Sequence, residues 1–306
     1  MSKKNLERQL QRKVPAFYRR FFERGAENRF TDLIEAGTAA VEELVSALDN
    51  DDRGERIDAL LGLGRIFTTH GAPEAALRAV VAHSKTIREK GMGPERQAAL
   101  FAMGRSGEIS LVDSFVPLLA ADDPSAVNVA VMVLGYARNR DAEPMIRFIA
   151  NRNDRDTVHT AIWALGQIGS AESLDVLLAM LRRGENVDWI VGALGDIGDP
   201  TALEDLVPLL SHERPDLRFS AVASISTIVD RRRDRKERRG WQWMIPSLHT
   251  ASRDRFPPVA VFALLTLAEL GEALDEDAVR RAFDISLETL ELSPSQNFIL
   301  GHRGLN

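Results

Sequence analysis

A chain of 306 residues that is 44% hydrophobic and has no cysteine can bury an extended core, and it excludes disulfides, thiolate nucleophiles and cysteine-held metals at once. Its net charge of −6 argues against a general nucleic-acid coat, because phosphate binding needs a basic surface that releases counterions. The charge is unevenly placed: residues 1–30 hold nine Lys or Arg against three Glu, so a +6 arm precedes a body of −12.

Within that arm Leu6, Leu10, Val14, Phe17 and Phe21 recur every three or four residues, interleaved with Lys3, Lys4, Arg8, Arg12, Lys13, Arg19 and Arg20. The pattern predicts a basic amphipathic helical segment over 1–30, divided at Pro15. Its ordinary role is to cap the helical array that follows; attachment to a membrane surface through residues 1–24 is the alternative. The start lacks the apolar stretch of a secretory signal, and no run approaches the roughly 18 apolar residues of a membrane span, so a cytoplasmic protein is expected.

From residue 31 one phrase returns. DALLGLG at Asp58, AALFAMG at Ala98, VAVMVLG at Val129, TAIWALG at Thr160 and WIVGALG at Trp189 each end in Gly, and SAVASIS at Ser220 and FALLTLA at Phe262 repeat it with Ser or Ala. The final positions are Gly64, Gly104, Gly135, Gly166, Gly195, Ser226 and Ala268, spaced by 40, 31, 31, 29, 31 and 42 residues. Five before each anchor stand Ala59, Ala99, Ala130, Ala161, Ile190, Ala221 and Ala263, with an aliphatic residue four before and Leu, Met or Ile one before. Those offsets share one helix face, which predicts a buried stripe whose alanines let a neighbouring helix come close. A turn follows each anchor, and then a second apolar helical pattern, as in Leu174, Leu177, Leu178 and Leu181 or Leu203, Leu206, Val207 and Leu210. Pro124, Pro215 and Pro257 stand shortly before the next first helix, where a missing amide hydrogen costs little. Each hairpin is too small to bury its own core, so neighbours must stack.

The segments GALGDIGDPTALEDLVPLL (Gly192 to Leu210) and WALGQIGSAESLDVLLAML (Trp163 to Leu181) resemble the short bacterial HEAT repeat of phycobilisome lyases and bacterial adaptor proteins. The resemblance runs over about residues 30 to 290 and is strongest from 96 to 211. It implies an all-α, right-handed superhelix, an armadillo-like solenoid of about seven or eight helix pairs occupying 31–292. It says little about function, since such repeats serve many roles.

Two insertions interrupt the period. The first, near 68–95, reads as a longer second helix with a loop, with contact to a partner along one edge of the solenoid as the alternative. The second, near 230–243, runs from Arg231 through Arg232, Arg233, Arg235, Lys236, Arg238 and Arg239 to Trp241 and Trp243. Its cations and indoles make it the best single candidate for a partner contact, an acidic protein before a nucleic acid, although a solvated charged face and tryptophans covering the next hairpin explain the same residues. The last residues, 293–306, read as a frayed tail, with a short docking peptide as the alternative.

No catalytic constellation emerges. His70, His83, His159, His212, His249 and His302 are scattered without the i, i+4 spacing of a helical metal site, and each reads as an ordinary surface or cap residue. Deoxyhypusine hydroxylase, also built of HEAT repeats, uses several His-Glu pairs; the single pair here, His212-Glu213, cannot supply that two-iron site. Nothing marks a bilin pocket. Trp163, Trp189, Asp188, Asp196, Arg182 and Arg183 are of the types used by HEAT-like DNA glycosylases, but inter-repeat packing explains the tryptophans. The GxxG phrases at Gly104, Gly166 and Gly195 read as helix C-caps rather than a phosphate cradle. The expectation is a non-enzymatic scaffold or adaptor without metal or cofactor, binding a protein partner. Nucleic-acid binding or base modification through the basic insert is the alternative, and membrane attachment through the arm the second.

Overall fold

The computed structural model describes residues 37–87, 93–152, 154–231, 240–274 and 277–279; within them the chain consists of helices and turns, with no strand. Two compact units divide it between Ser173 and Leu174. The first opens with a 3-10 turn, Gly37–Ala40, and α1 (Val41–Ala47), followed by α2 (Arg53–His70), α3 (Glu74–Thr86), α4 (Pro94–Gly104), α5 (Ile109–Asp113), a 3-10 turn Val116–Ala120, α6 (Pro124–Tyr136), α7 (Glu143–Ala150) and α8 (Val158–Ile168). Helix α9 (Ala171–Arg182) spans the division. The second unit continues with α10 (Val187–Ile197), the short pieces Pro200–Ala202, α11 (Leu203–Leu206) and Val207–Ser211, then α12 (Pro215–Arg231), the turn Gln242–Met244, α13 (Ile245–Ala251) and α14 (Pro257–Leu270).

These elements alternate as first and second helices of hairpins. In the first unit α4 packs on α2 and on α6, and α6 on α8; in the second, α12 packs on α10 and on α14. Six complete hairpins lie among the described residues, and α1 and α14 supply halves of two more. The predicted stripe is the seam. None of Ala59, Ala99, Ala130, Ala161, Ile190, Ala221 and Ala263 is more than 2% exposed, and the residues four and one before each anchor are buried with them. The second-helix leucines named above are buried too.

Helix starts follow the local chemistry. Asp52 and Asp123 accept backbone N–H bonds from Glu55 at 3.0 Å and Ser125 at 2.9 Å, and Pro94, Pro124, Pro215 and Pro257 open their helices. The anchor glycines are not caps, which corrects half of the GxxG reading. Gly166 and Gly195 lie inside α8 and α10, and Gly104 closes α4, where a Cβ would stand 2.6 Å from the Tyr136 Cβ and 2.7 Å from the Val133 carbonyl oxygen. Gly64, Gly104 and Gly135 are glycines because the next first helix lies against them: a Cβ there would stand 2.5 Å from Phe101, 2.6 Å from Tyr136 and 2.9 Å from Ala164. The stop lies three residues further on. Gly107, Arg138, Gly169, Gly198 and Gly271 hold that place with φ of 71°, 53°, 67°, 74° and 86°, a left-handed turn that ends the helix.

The exceptions at this place are Phe67 and Val229, both buried and helical. Without a left-handed residue there, α2 continues to His70 and α12 to Arg231. These belong to the two repeats with the longest spacings. Part of the first insertion is therefore extra first helix, beyond the longer second helix and loop expected from the sequence.

Candidate functional site

Arg231 is the last residue of α12. Its guanidinium donates to the Asp196 carbonyl and lies over Gly198, so it closes the C-terminal end of α10, where free carbonyls favour a cation. Arg232, Arg233, Arg235, Lys236, Arg238 and Arg239 lie outside the described residues. Beyond them the two indoles part: Trp241 is buried, whereas Trp243 is 49% exposed in the turn leading to α13. One tryptophan covers the hairpin as the packing alternative expected, and the other is left at the surface.

Several charged groups among the described residues are engaged in structural pairs. Glu95, buried in the first turn of α4, accepts from Arg56 Nε at 2.7 Å and Nη2 at 3.1 Å and bonds His83 Nε2 at 2.9 Å. The Arg56 bond, reinforced by His83 and opposed by burial, holds the Glu95 carboxyl below the usual glutamate range. His83 is thus a nearly buried partner of a carboxylate rather than the surface residue expected; its signal was long-range and absent from local spacing. Arg56 Nη1 also donates to the carbonyls of Asn50 at 2.8 Å and Asp51 at 3.0 Å. The second unit repeats the device: Arg218 donates to Asp254 at 2.6 and 2.8 Å and, through Nη1, to the carbonyls of His212 at 2.9 Å and Glu213 at 3.0 Å. Both arginines stand eight residues before the anchors of the long-spaced repeats, Gly64 and Ser226.

The residues singled out by analogy with glycosylases are similarly committed. Arg182 pairs with Asp205 at 2.7 Å, Arg183 with Glu185 at 2.8 Å, and Asp188 with Arg214 at 2.8 Å. Trp163 is buried edge-on against Tyr136 at 4.7 Å, and Tyr136 meets Phe101 at 5.3 Å. Burial holds the Tyr136 phenol protonated far above its ordinary range. Among the described residues no group of three or more His, Asp or Glu side chains could hold a metal ion.

What the packing leaves outside is more distinctive. Among the described residues the exposed large apolar side chains are Ile109, Val116, Leu118, Met145, Phe148 and Trp243. All belong to second helices or to the turns that form part of them; none is on a first helix. In the first unit a cleft of about 260 Å³ opens among them. Leu119 and Ala120 at the end of one second helix, Val127 of α6, and Met145 and Phe148 of α7 form its apolar wall. Asp122, Arg152, Asp154 and Thr157 form its polar edge. Asp154 accepts from the Thr157 hydroxyl at 2.8 Å and the Asp156 N–H at 3.0 Å, and these bonds keep it ionised below the usual aspartate range. The Arg152 guanidinium lies 6.0 Å from the Phe148 ring centroid. Sequence reading missed this cleft because its walls come from adjacent repeats and each apolar residue alone fits a second-helix pattern.

Comparison with curated proteins gave no significant match. Many solved structures are similar, and three of them illustrate the range. The complex of CpcE and CpcF of phycocyanin lyase from Nostoc sp. PCC7120 is 18% identical over 89% of this chain and 97% of that one, with a TM-score of 0.45. Human deoxyhypusine hydroxylase in complex with glycerol is 15% identical over 88% and 96%, with a TM-score of 0.36. A designed armadillo repeat protein is 15% identical over 75% and 99%, with a TM-score of 0.29. The family model for HEAT repeats matches residues 112–189 and that for the PBS lyase HEAT-like repeat matches 188–212, the latter coinciding with the hairpin that begins with α10. Residues 112–212 are therefore HEAT-like repeats, and they are the part of the chain that carries the family signature.

Proposed function

We propose that the protein is a non-catalytic scaffold that binds a protein partner through the face made by the second helices of its first unit. The observation that carries this reading is the segregation of exposed apolar side chains: Ile109 is 74% and Phe148 61% exposed on second helices, while the first helices keep theirs inside. Apolar groups held out by a rigid hairpin array form a preformed surface, so little conformational freedom is lost on association. Such patches mark interaction sites. The pairing of Glu95, Asp188 and Asp254 with arginines supports the non-catalytic part, because each carboxylate has a structural partner.

Trp243, half-exposed beside the end of the basic insert, supports a second contact with an acidic stretch of the same partner, formed with the arginines of 231–239. The test is affinity purification with the intact chain and two variants. One carries Ser at Ile109, Leu118, Met145 and Phe148; the other carries Ser at Arg231, Arg232, Arg233, Arg235, Arg238 and Arg239. Loss of the retained proteins from the first variant is expected, with weakening in the second. An identical set of proteins on all three would end the proposal.

A further inference from the structure

The cleft beside Phe148 has the size and charge to say what enters it. At about 260 Å³ it falls below the roughly 300 Å³ where pockets for drug-sized ligands and cofactors begin, and it suits one bulky side chain. Leu119 and Val127 from one hairpin and the start of the next, with Met145 and Phe148 of α7, supply its apolar lining. Its edge carries two carboxylates, Asp122 and Asp154, against a single cation, Arg152, which lies near the face of Phe148. Asp154 accepts from the Thr157 hydroxyl and the Asp156 N–H, both uncharged donors, and interacts electrostatically with Arg152, so Asp122 is left as the excess negative charge of the edge. Phosphates and anionic lipid headgroups are repelled by such an edge.

Resting on the scaffold reading above, we propose that this cleft takes a segment of the partner protein that presents a bulky apolar side chain beside a lysine or arginine. The apolar side chain enters between Met145, Phe148, Leu119 and Val127, and the cation meets Asp122 at the rim. Arg152 keeps acidic segments in play only weakly, since its charge is outnumbered and already placed against the ring. The apolar insertion supplies most of the affinity, and the rim charge supplies selectivity and association rate.

The test uses a random linear peptide library displayed on phage and selected on the intact chain. Selected peptides are then measured against the intact chain, Phe148→Ala and Asp122→Lys. Both positions are exposed, so neither change removes core, and circular dichroism checks that the helices persist. Enrichment of a bulky apolar residue next to Lys or Arg is expected. Phe148→Ala then weakens binding by about 30-fold, the loss typical of a hot-spot side chain. Asp122→Lys weakens it by about 5-fold at low salt and less at high salt. Selected peptides that bind Phe148→Ala as well as the intact chain would place the contact elsewhere and overturn the cleft while leaving the scaffold standing. Selected peptides that lack a basic residue overturn the charge assignment. A library with no enrichment at all overturns the cleft as a peptide site, and the scaffold then stands or falls on the purification experiment.

Discussion

At Gly104 the next first helix comes so close that a methyl group has no place: the nearest atoms would be the Tyr136 Cβ at 2.6 Å, the Val133 carbonyl oxygen at 2.7 Å and the Ala137 amide nitrogen at 3.2 Å, the last two backbone and the first fixed directly to it. Two effects oppose each other in Gly104→Ala. Alanine gains up to about 1 kcal/mol of helix propensity, whereas forcing atoms into a packed contact costs about 1 to 3 kcal/mol. Because the obstacle is backbone, the clash prevails, and urea unfolding should give a lower midpoint. An unchanged or raised midpoint would mean that the helices slide apart freely. Arg138 gives the opposite expectation. It occupies the left-handed stop position, φ 53°, where four of the equivalent residues are glycine. Relief of that conformation is worth about 1 to 2 kcal/mol, partly offset by greater freedom in the unfolded chain. Arg138→Gly should therefore raise the midpoint slightly, and Arg138→Val should lower it. Glu95 makes a prediction in pH. Its bonds to Arg56 and His83 depress its folded pKa, so its contribution is complete above the unfolded glutamate pKa and is lost as pH falls through the folded one. On acidification from roughly pH 5, the intact chain should lose stability more steeply than Glu95→Gln; parallel pH profiles would show that the bonds contribute nothing.

The element scale explains the lengths of the helices. A single position, three after the anchor, decides whether a first helix stops or runs on: left-handed at Gly107, Arg138, Gly169, Gly198 and Gly271, helical at Phe67 and Val229. The two overrunning helices lead into insertions, and each carries an arginine that bridges to an acidic residue near the start of the following first helix, Arg56 to Glu95 and Arg218 to Asp254. Such a bridge ties down the segment left long by the insertion. A double-mutant cycle on Arg218→Ala and Asp254→Ala should show a coupling on the order of 1 kcal/mol, moderate because solvent reaches the edge of the pair. Strict additivity would reduce the bridge to a surface contact. The stripes were legible in the sequence because Ala59, Leu60 and Leu63 and their equivalents share a face within one helix turn or two. The bridges were not, because 39 residues separate Arg56 from Glu95 and 36 separate Arg218 from Asp254. The cleft was illegible for a related reason: Leu119 and Phe148 meet only after two hairpins have stacked, and nothing in either second helix alone distinguishes a wall of a cleft from a wall of the core. Of the basic insert, the sequence supplied composition, while burial divides Trp241 from Trp243 and the α10 carbonyl end claims Arg231.

At the scale of the molecule, hairpins that touch only their neighbours make stability a chain of local terms. Helix α14 packs on α12 and α13, its Leu264 lies on the shared seam at 1% exposure, and Leu264→Ala should cost about 2 to 5 kcal/mol there. That loss has two possible fates. If the repeats formed one cooperative body, every amide would exchange faster in proportion. If the coupling is between neighbours, protection drops in α12, α13 and α14 and fades with distance along the chain, leaving α2, α4 and α6, which hold one another within the first unit, close to their original rates. The seam of small residues favours the second outcome, because within the first unit the first helices meet through that stripe, Gly64 on Phe101, Gly104 on Tyr136 and Gly135 on Ala164. Hydrogen exchange read by mass spectrometry on Leu264→Ala and on the unaltered chain separates the two, and a uniform rise across α2 to α14 would overturn the nearest-neighbour account. A local drop would also mean that the second-helix face around Phe148 keeps its shape when distant repeats are disturbed, as a scaffold that presents a preformed cleft requires.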